Sequence, residues 1–108
     1  MDSRHEQSLL YALNVLGEER YKKYIRAIYL YGSCARGEQK YDSDIDLFLF
    51  LSKNVPDNII REMRLAVIPN YNLPEVELKT SKSNEFSSSY HFNQNIRRDG
   101  VMLWERKE

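Results

Sequence analysis

The segment Tyr29–Phe50, "YLYGSCARGEQKYDSDIDLFLF", decides the fold. Gly32 and Ser33 end one apolar run, and the pair Asp44 and Asp46 opens a second, strongly apolar run. The two runs predict two buried strands, one ending near residue 32 and the other covering residues 45–52. Because burying a charge is costly unless something pairs with it, carboxylates at the edge of a core need an explanation.

The aspartate pair indicates a site for a cation. Side chains alternate between the two faces of a strand, so Asp44 and Asp46 should point the same way, about 6.6 Å apart along the chain. Two such carboxylates repel each other, and one resists ionisation unless a cation lies between them. Hard oxygen ligands at this spacing suit Mg²⁺. An isolated Asp-x-Asp is more often a solvated strand entrance, so the interpretation of this pair as a metal site depends on the neighbouring sequence.

The glycine-serine turn supplies that context. Glycine lets a phosphate approach the backbone, and the N–H groups and the Ser33 hydroxyl can hold phosphate oxygens. Arg36 could add a charge-assisted contact. A phosphate-binding turn on one strand beside a metal-binding pair on the next favours metal-assisted nucleotidyl transfer.

Other polar residues of the segment have simpler interpretations. Glu38 and Lys40 are typical of a solvated helix face. Cys34 is better read as a small packed residue than as a nucleophile, because no histidine lies nearby in the sequence to activate it.

Length and composition predict one domain over residues 1–108, which can fold around a single core. The 16 basic and 16 acidic residues balance, so no global field favours nucleic acid or an anionic membrane. The single cysteine excludes an internal disulfide framework. The polar start "MDSRHEQS" is unlike a signal peptide, and no apolar run is long enough to span a bilayer. We therefore expect a cytoplasmic protein.

Hydrophobic periodicity predicts alternating helices and strands, which imply an α+β sandwich with helices packed on a small mixed sheet. The first helix should begin at a capping box, Ser3 with Glu6, bury Leu9, Leu10, Leu13 and Leu16, and end at Gly17. The further elements are a helical turn over 18–24, a strand over 27–32, a helical turn over 34–40, a helix from Pro56 to Pro69, a strand over 75–80, a helix from Ser83 to before Gly100, and a strand over 101–104.

The order Gly32-Ser33, ten residues, then Asp44-Ile45-Asp46 resembles the GS-x10-D-x-D signature of the DNA polymerase β-like nucleotidyltransferases. The string "GSCARGEQKYDSDIDLFLF" is similar to the minimal nucleotidyltransferase branch of that superfamily, as is the closing "NIRRDGVMLW". The motif is specific, and the resemblance extends weakly over most of the chain.

This resemblance implies the roles of the site residues. Gly32 and Ser33 would hold the β- and γ-phosphates of a nucleoside triphosphate, with Arg36 beside them. Asp44 and Asp46 would bind two Mg²⁺ ions, roughly 3.5–4 Å apart as in other two-metal sites. Transfer of AMP from ATP to a hydroxyl group would release pyrophosphate.

The family also implies a third carboxylate on a neighbouring strand, as metal ligand and potential base, and Glu77 of "PEVELKT" is the matching position. Alternation places Glu75, Glu77 and Lys79 on one strand face, opposite Val76 and Leu78. Aspartate is commoner at this position in the larger family. Glutamate reaches one methylene farther, so Glu77 would either coordinate equally well or mark a weakened enzyme. Glu75 is the weaker substitute.

Minimal nucleotidyltransferases resemble antitoxins that neutralise HEPN toxins, which are small helical RNases. The leading hypothesis is therefore a protein-directed nucleotidyltransferase acting as an antitoxin, with a HEPN-type toxin as partner. Two alternatives stay open, namely an antitoxin that only binds, and a nucleotidyltransferase for a small-molecule or nucleic-acid acceptor. The neutral charge argues against direct contact with nucleic acid.

Overall fold

The computed structural model describes residues 1–70, 72–82 and 99–107. The predicted helix between Ser83 and Gly100 falls largely on residues 83–98, outside the described residues. The described elements, in chain order, are α1 (Ser3–Leu16), α2 (Glu19–Lys22), β1 (Ile25–Tyr31), α3 (Gly32–Ala35), β2 (Ile45–Leu51), α4 (Asp57–Ala66), β3 (Val76–Ser81) and β4 (Val101–Glu105).

The four strands form one mixed sheet in the order β3-β2-β1-β4. β1 pairs antiparallel with both β2 and β4, whereas β2 and β3 are parallel. The carboxyl end of β1 therefore lies at the same edge of the sheet as the amino ends of β2 and β3.

Alternation of side chains divides the sheet into two apolar faces. One face carries the main core, in which the side chains of β2 are packed with those of α1 and α4. Its strand members include Ile28, Leu30, Leu47, Leu49, Leu51, Val76 and Leu78. The opposite face carries a smaller aromatic cluster of Ala27, Tyr29, Phe48 and Phe50, with Tyr31 beside it. Asp46 and Glu77 occupy the same alternation positions as this second cluster.

Helix α1 departs from the sequence prediction at two points. The cap is Asp2 rather than Ser3, because the Asp2 side chain accepts a hydrogen bond from the backbone N–H of His5. The predicted capping box of Ser3 and Glu6 is therefore wrong. Leu10 was expected in the buried stripe but is exposed. The fully buried stripe instead contains two polar side chains, with the members His5, Ser8, Ala12 and Leu16.

The remaining elements lie close to their predicted ranges, with one exception. The helical turn expected over residues 34–40 begins earlier, at Gly32, and ends at Ala35. A small mixed sheet with helices packed on it is an α+β fold, as the sequence predicted. Within the described part of the chain, no helix is long and apolar enough to cross a bilayer.

Candidate functional site

Three acidic residues meet at the sheet edge where β1 ends and β2 and β3 begin. Asp44 immediately precedes β2, Asp46 is the second residue of β2, and Glu77 is the second residue of β3. In the parallel register Asp46 lies directly opposite Glu77, and in the antiparallel register it lies opposite Tyr31. We call Asp44, Asp46 and Glu77 the carboxylate edge.

Asp46 is the electrostatic centre of the carboxylate edge. Its side chain is half-buried, whereas Asp44 and Glu77 are exposed. Burial raises the pKa of Asp46, and the charges of Glu77 and then Asp44 raise it further, against smaller opposing effects of Lys79 and Arg36. Glu77 and Asp44 thus lie close enough to Asp46 to disfavour its charged form.

The pKa of Tyr31 is raised by burial and by the same negative charges. Burial raises the pKa of Tyr31 to about 12, with further contributions from the charges of Asp46 and Glu77. Its hydroxyl is therefore protonated at neutral pH and cannot neutralise the carboxylates. A bound cation would relieve their repulsion.

Gly32 packs directly against Asp46. Its backbone has φ of +74°, a left-handed conformation that side-chain-bearing residues rarely adopt. A Cβ atom built on Gly32 would collide with the Asp46 carboxylate oxygen Oδ2, and would lie 3.2 Å from Cγ and 3.4 Å from Cβ of the same side chain. Glycine is therefore needed both for the turn and for the close approach of backbone and carboxylate.

The other residues of the turn lie around this contact. Ser33 follows Gly32 in the short helix α3 and is half-buried. Arg36 is exposed and forms an ion pair with Glu38, with 3.4 Å between Nε and Oε2. Its charge also lowers the pKa of Asp46, against the larger effects that raise it. Cys34 is buried and its thiol donates to the Asp44 carbonyl at 3.6 Å.

Cys34 has the character of a packed residue, as the sequence predicted. Burial raises the pKa of its thiol, and the charges of Asp46 and Asp2 raise it further. A thiol held in its protonated form is a poor nucleophile. The contribution of Cys34 is its hydrogen bond to the backbone of Asp44.

The donor set suits a hard divalent cation in type, since carboxylate oxygens are the ligands that Mg²⁺ prefers. The side chains are not pre-assembled, however. In residues 1–70, 72–82 and 99–107, no three His, Cys, Asp or Glu side chains are arranged to hold a metal ion. A metal ion held by all three carboxylates of this edge would therefore require their side chains to move closer together.

A cavity of about 420 Å³ opens beside the carboxylate edge. Asp44, Glu75 and Glu77 line it together with Arg64 of α4, Val76 and Leu78. Arg64 donates from Nε to the Leu78 carbonyl at 3.4 Å. Arg64 was missed from the sequence because it belongs to a different element, and only the packing of α4 beside β3 brings it to the site.

A model of the family "Polymerase beta, Nucleotidyltransferase" matches residues 18–108. A search of curated proteins gives no match. Three solved structures share the fold. A toxin-antitoxin structure with AMP-PNP has a TM-score of 0.63 and 22% identity, covering 94% of this chain and 74% of that one. Spectinomycin adenyltransferase AAD(9) from Enterococcus faecialis, with ATP and spectinomycin, has a TM-score of 0.67 and 12% identity, covering 95% and 57%. A putative nucleotidyltransferase from Sulfolobus solfataricus has a TM-score of 0.55 and 19% identity, covering 98% and 91%.

Proposed function

This chain belongs to the polymerase beta nucleotidyltransferase family, and we propose that it is a Mg²⁺-dependent enzyme that transfers AMP from ATP to a hydroxyl group of a partner protein. The observation that carries the proposal is the half-buried Asp46, which lies against Gly32 and between two further carboxylates that raise its pKa. A protein tolerates such repulsion where a cation or a reacting group relieves it.

The residues of the site would have separate roles in phosphate binding and metal binding. The backbone of Gly32 and Ser33 and the hydroxyl of Ser33 would hold the β- and γ-phosphates, with Arg36 adding positive charge after it leaves Glu38. Asp44, Asp46 and Glu77 would hold the metal ions. When bound, Mg²⁺ supplies charge neutralisation of the triphosphate and a lowered pKa of the attacking hydroxyl.

The chemical step is a displacement at the α-phosphorus of ATP. A hydroxyl oxygen of the acceptor forms the new bond, the bond to the β-phosphate oxygen breaks, and pyrophosphate leaves with the electron pair. Glu77 is the candidate for accepting the hydroxyl proton, because it is exposed at the rim of the cavity.

For the acceptor we propose a HEPN-type toxin that this chain neutralises. The structural likeness to a toxin-antitoxin protein over 94% of the chain supports this choice. Exposed apolar residues on α1, Leu10 and Tyr11, are candidates for contact with such a partner. The likeness to an adenyltransferase with ATP supports adenosine triphosphate as the nucleotide.

A second candidate function is neutralisation of the toxin by binding alone. Its supporting observation is that the carboxylates of the described residues are not pre-assembled around a metal position. Glu77, in place of the commoner aspartate, agrees with this alternative. Under it, variants of the carboxylate edge would still neutralise the partner.

The test is a co-incubation of the protein with Mg²⁺, ATP and a HEPN-type toxin, followed by intact-mass measurement of both chains. Transfer predicts an added AMP on the toxin that is lost in the double variant Asp44→Asn/Asp46→Asn. Asp42→Asn is the matched control, because it removes one charge from an exposed residue of the same connection. A stable complex without any adduct, unchanged by the double variant, would favour binding alone.

A further inference from the structure

His5 is a polar residue in an unusual position, fully buried in the first turn of α1. Its ring nitrogen Nδ1 lies 2.8 Å from Oδ2 and 2.9 Å from Oδ1 of Asp2. The other ring nitrogen, Nε2, lies 2.8 Å from the backbone carbonyl oxygen of Ser43. Ser43 immediately precedes Asp44, so His5 joins the start of the chain to the backbone next to the carboxylate edge.

Both partners of the His5 ring are hydrogen-bond acceptors. A backbone carbonyl can only accept, and so can an ionised carboxylate. Asp2 is ionised at neutral pH, because hydrogen bonds from the backbone and side chain of His5 lower its pKa to about 2. The contact of Nε2 with the Ser43 carbonyl is therefore a hydrogen bond that the histidine donates.

Several charged and titratable groups surround this contact. Asp2 faces it from the helix cap. The charge of Asp2 also raises the pKa of the Cys34 thiol in α3, whereas the amino group of Met1 lowers it. The Gln39 side chain donates to Asp2 from the connection between α3 and β2.

Neighbouring residues of α1 bind the connection that precedes β2 and the connection that precedes β3. Arg4 donates to the carbonyl of Tyr41 at 3.1 Å and to that of Asn72 at 3.2 Å. The buried hydroxyl of Ser8 donates to the carbonyl of Pro74 at 2.6 Å. The first two turns of α1 therefore bind the backbone just before β2 and just before β3, where the carboxylate edge begins.

We propose that His5 is a positioning residue for nucleotidyl transfer, whose two ring nitrogens join the Ser43–Asp44 peptide to the capped start of α1 and thereby place the Asp44 carboxylate. This inference rests on the proposed function. His5 touches neither nucleotide nor acceptor, and it acts through the backbone of Ser43.

Two substitutions separate the two ring contacts. In His5→Gln the side-chain amide can reach the position of Nε2 and still donate to the Ser43 carbonyl, while the contact to Asp2 is lost. In His5→Asn the amide takes the position of Nδ1, and the contact to Ser43 is lost. Each variant loses one hydrogen bond from the same buried ring, so each serves as the stability control for the other.

The first readout is independent of function. In nitrogen-15 NMR spectra of the metal-free protein, Nε2 of His5 should carry a proton, and the amide protons of Asp44 and Ile45 should exchange faster in His5→Asn than in His5→Gln. An Nε2 without a proton, or equal exchange in the two variants, would overturn the proposal even if the protein proves to be an enzyme.

The second readout is the affinity for ATP with Mg²⁺, measured by calorimetry. We expect His5→Asn to bind roughly two- to tenfold more weakly than His5→Gln, the scale of one hydrogen bond between uncharged groups. Equal affinities would overturn the positioning role. If the unaltered protein bound no nucleotide, the proposed function would fail, and the exchange rates of Asp44 and Ile45 would still decide whether His5 fixes this peptide.

Discussion

Replacing Gly32 by alanine should separate the stability of the fold from the geometry of the carboxylate edge. Gly32 and Gly37 share nearly the same left-handed backbone, with φ of +74° and +70°. A Cβ atom on Gly37 would meet nothing within 4 Å, whereas one on Gly32 would collide with the Asp46 carboxylate. Gly37→Ala is therefore a matched control that carries the same backbone strain without the collision.

The expected magnitudes follow from these contacts. Alanine in a left-handed conformation costs about 1–2 kcal/mol. Each kcal/mol lowers the unfolding temperature of a domain of this size by roughly 4–8 °C. Both variants should lose this amount. Gly32→Ala must also turn the Asp46 side chain away, and displacing a ligand in this way weakens metal binding by roughly 10- to 100-fold.

The assay combines thermal unfolding with calorimetric titration of ATP in the presence of Mg²⁺. We expect Gly37→Ala to keep the affinity of the unaltered protein at its reduced stability, and Gly32→Ala to lose affinity as well. Equal affinities in the two variants would refute the reasoning, because the close contact of Gly32 with Asp46 would then be irrelevant to the site.

Further predictions concern charge and packing. Asp46→Asn should raise the metal-free stability at neutral pH by about 0.5–1 kcal/mol, a value reduced for the exposure of the site, and thermal unfolding at pH 7 should show the gain. The pKa of Asp46 is raised in the folded state, so ionisation of this carboxyl destabilises the fold as pH rises from the unfolded pKa through the folded pKa. The stability gain of Asp46→Asn should therefore vanish at pH values below the unfolded pKa. Because Mg²⁺ binds the deprotonated carboxylate, its affinity should increase with pH over the same range, which calorimetry at several pH values can measure. Leu47→Ala, at a position fully buried in the main core, should lose about 2–5 kcal/mol in denaturant unfolding.

The strands and the opposition of Asp46 and Glu77 could be anticipated from the sequence in part. Apolar runs located β1, β2 and β4, and alternation located β3 and placed Glu77 and Lys79 opposite the buried Val76 and Leu78, as observed. The parallel pairing that sets Asp46 opposite Glu77 could not be read locally, because it depends on how the chain crosses between β2 and β3.

Hydrophobic periodicity could not predict the polar contacts of α1. A helical stripe is predicted from apolar side chains, so the expected stripe contained leucines and left out the buried His5 and Ser8. Their acceptors, the carbonyls of Ser43 and Pro74, are 38 and 66 residues away along the chain. A buried histidine and serine become favourable only after these connections have folded against the helix.

The short helix α3 shows the same limit at the site itself. The sequence predicted the turn at Gly32 and Ser33. It did not predict that Gly32 lies against Asp46, because this contact depends on the register of β1 against β2. It also did not reveal that Arg36 pairs with Glu38. The types of residue at the site were thus predictable, whereas their pairing was a property of the tertiary structure.

The most direct test of the central claim is a calorimetric titration of the isolated protein with ATP, with and without Mg²⁺. The account predicts Mg²⁺-dependent binding that is abolished in Asp44→Asn/Asp46→Asn and retained in Asp42→Asn. Binding of ATP that is independent of Mg²⁺ and unchanged in the double variant, or no binding at all, would contradict a nucleotide site at the carboxylate edge.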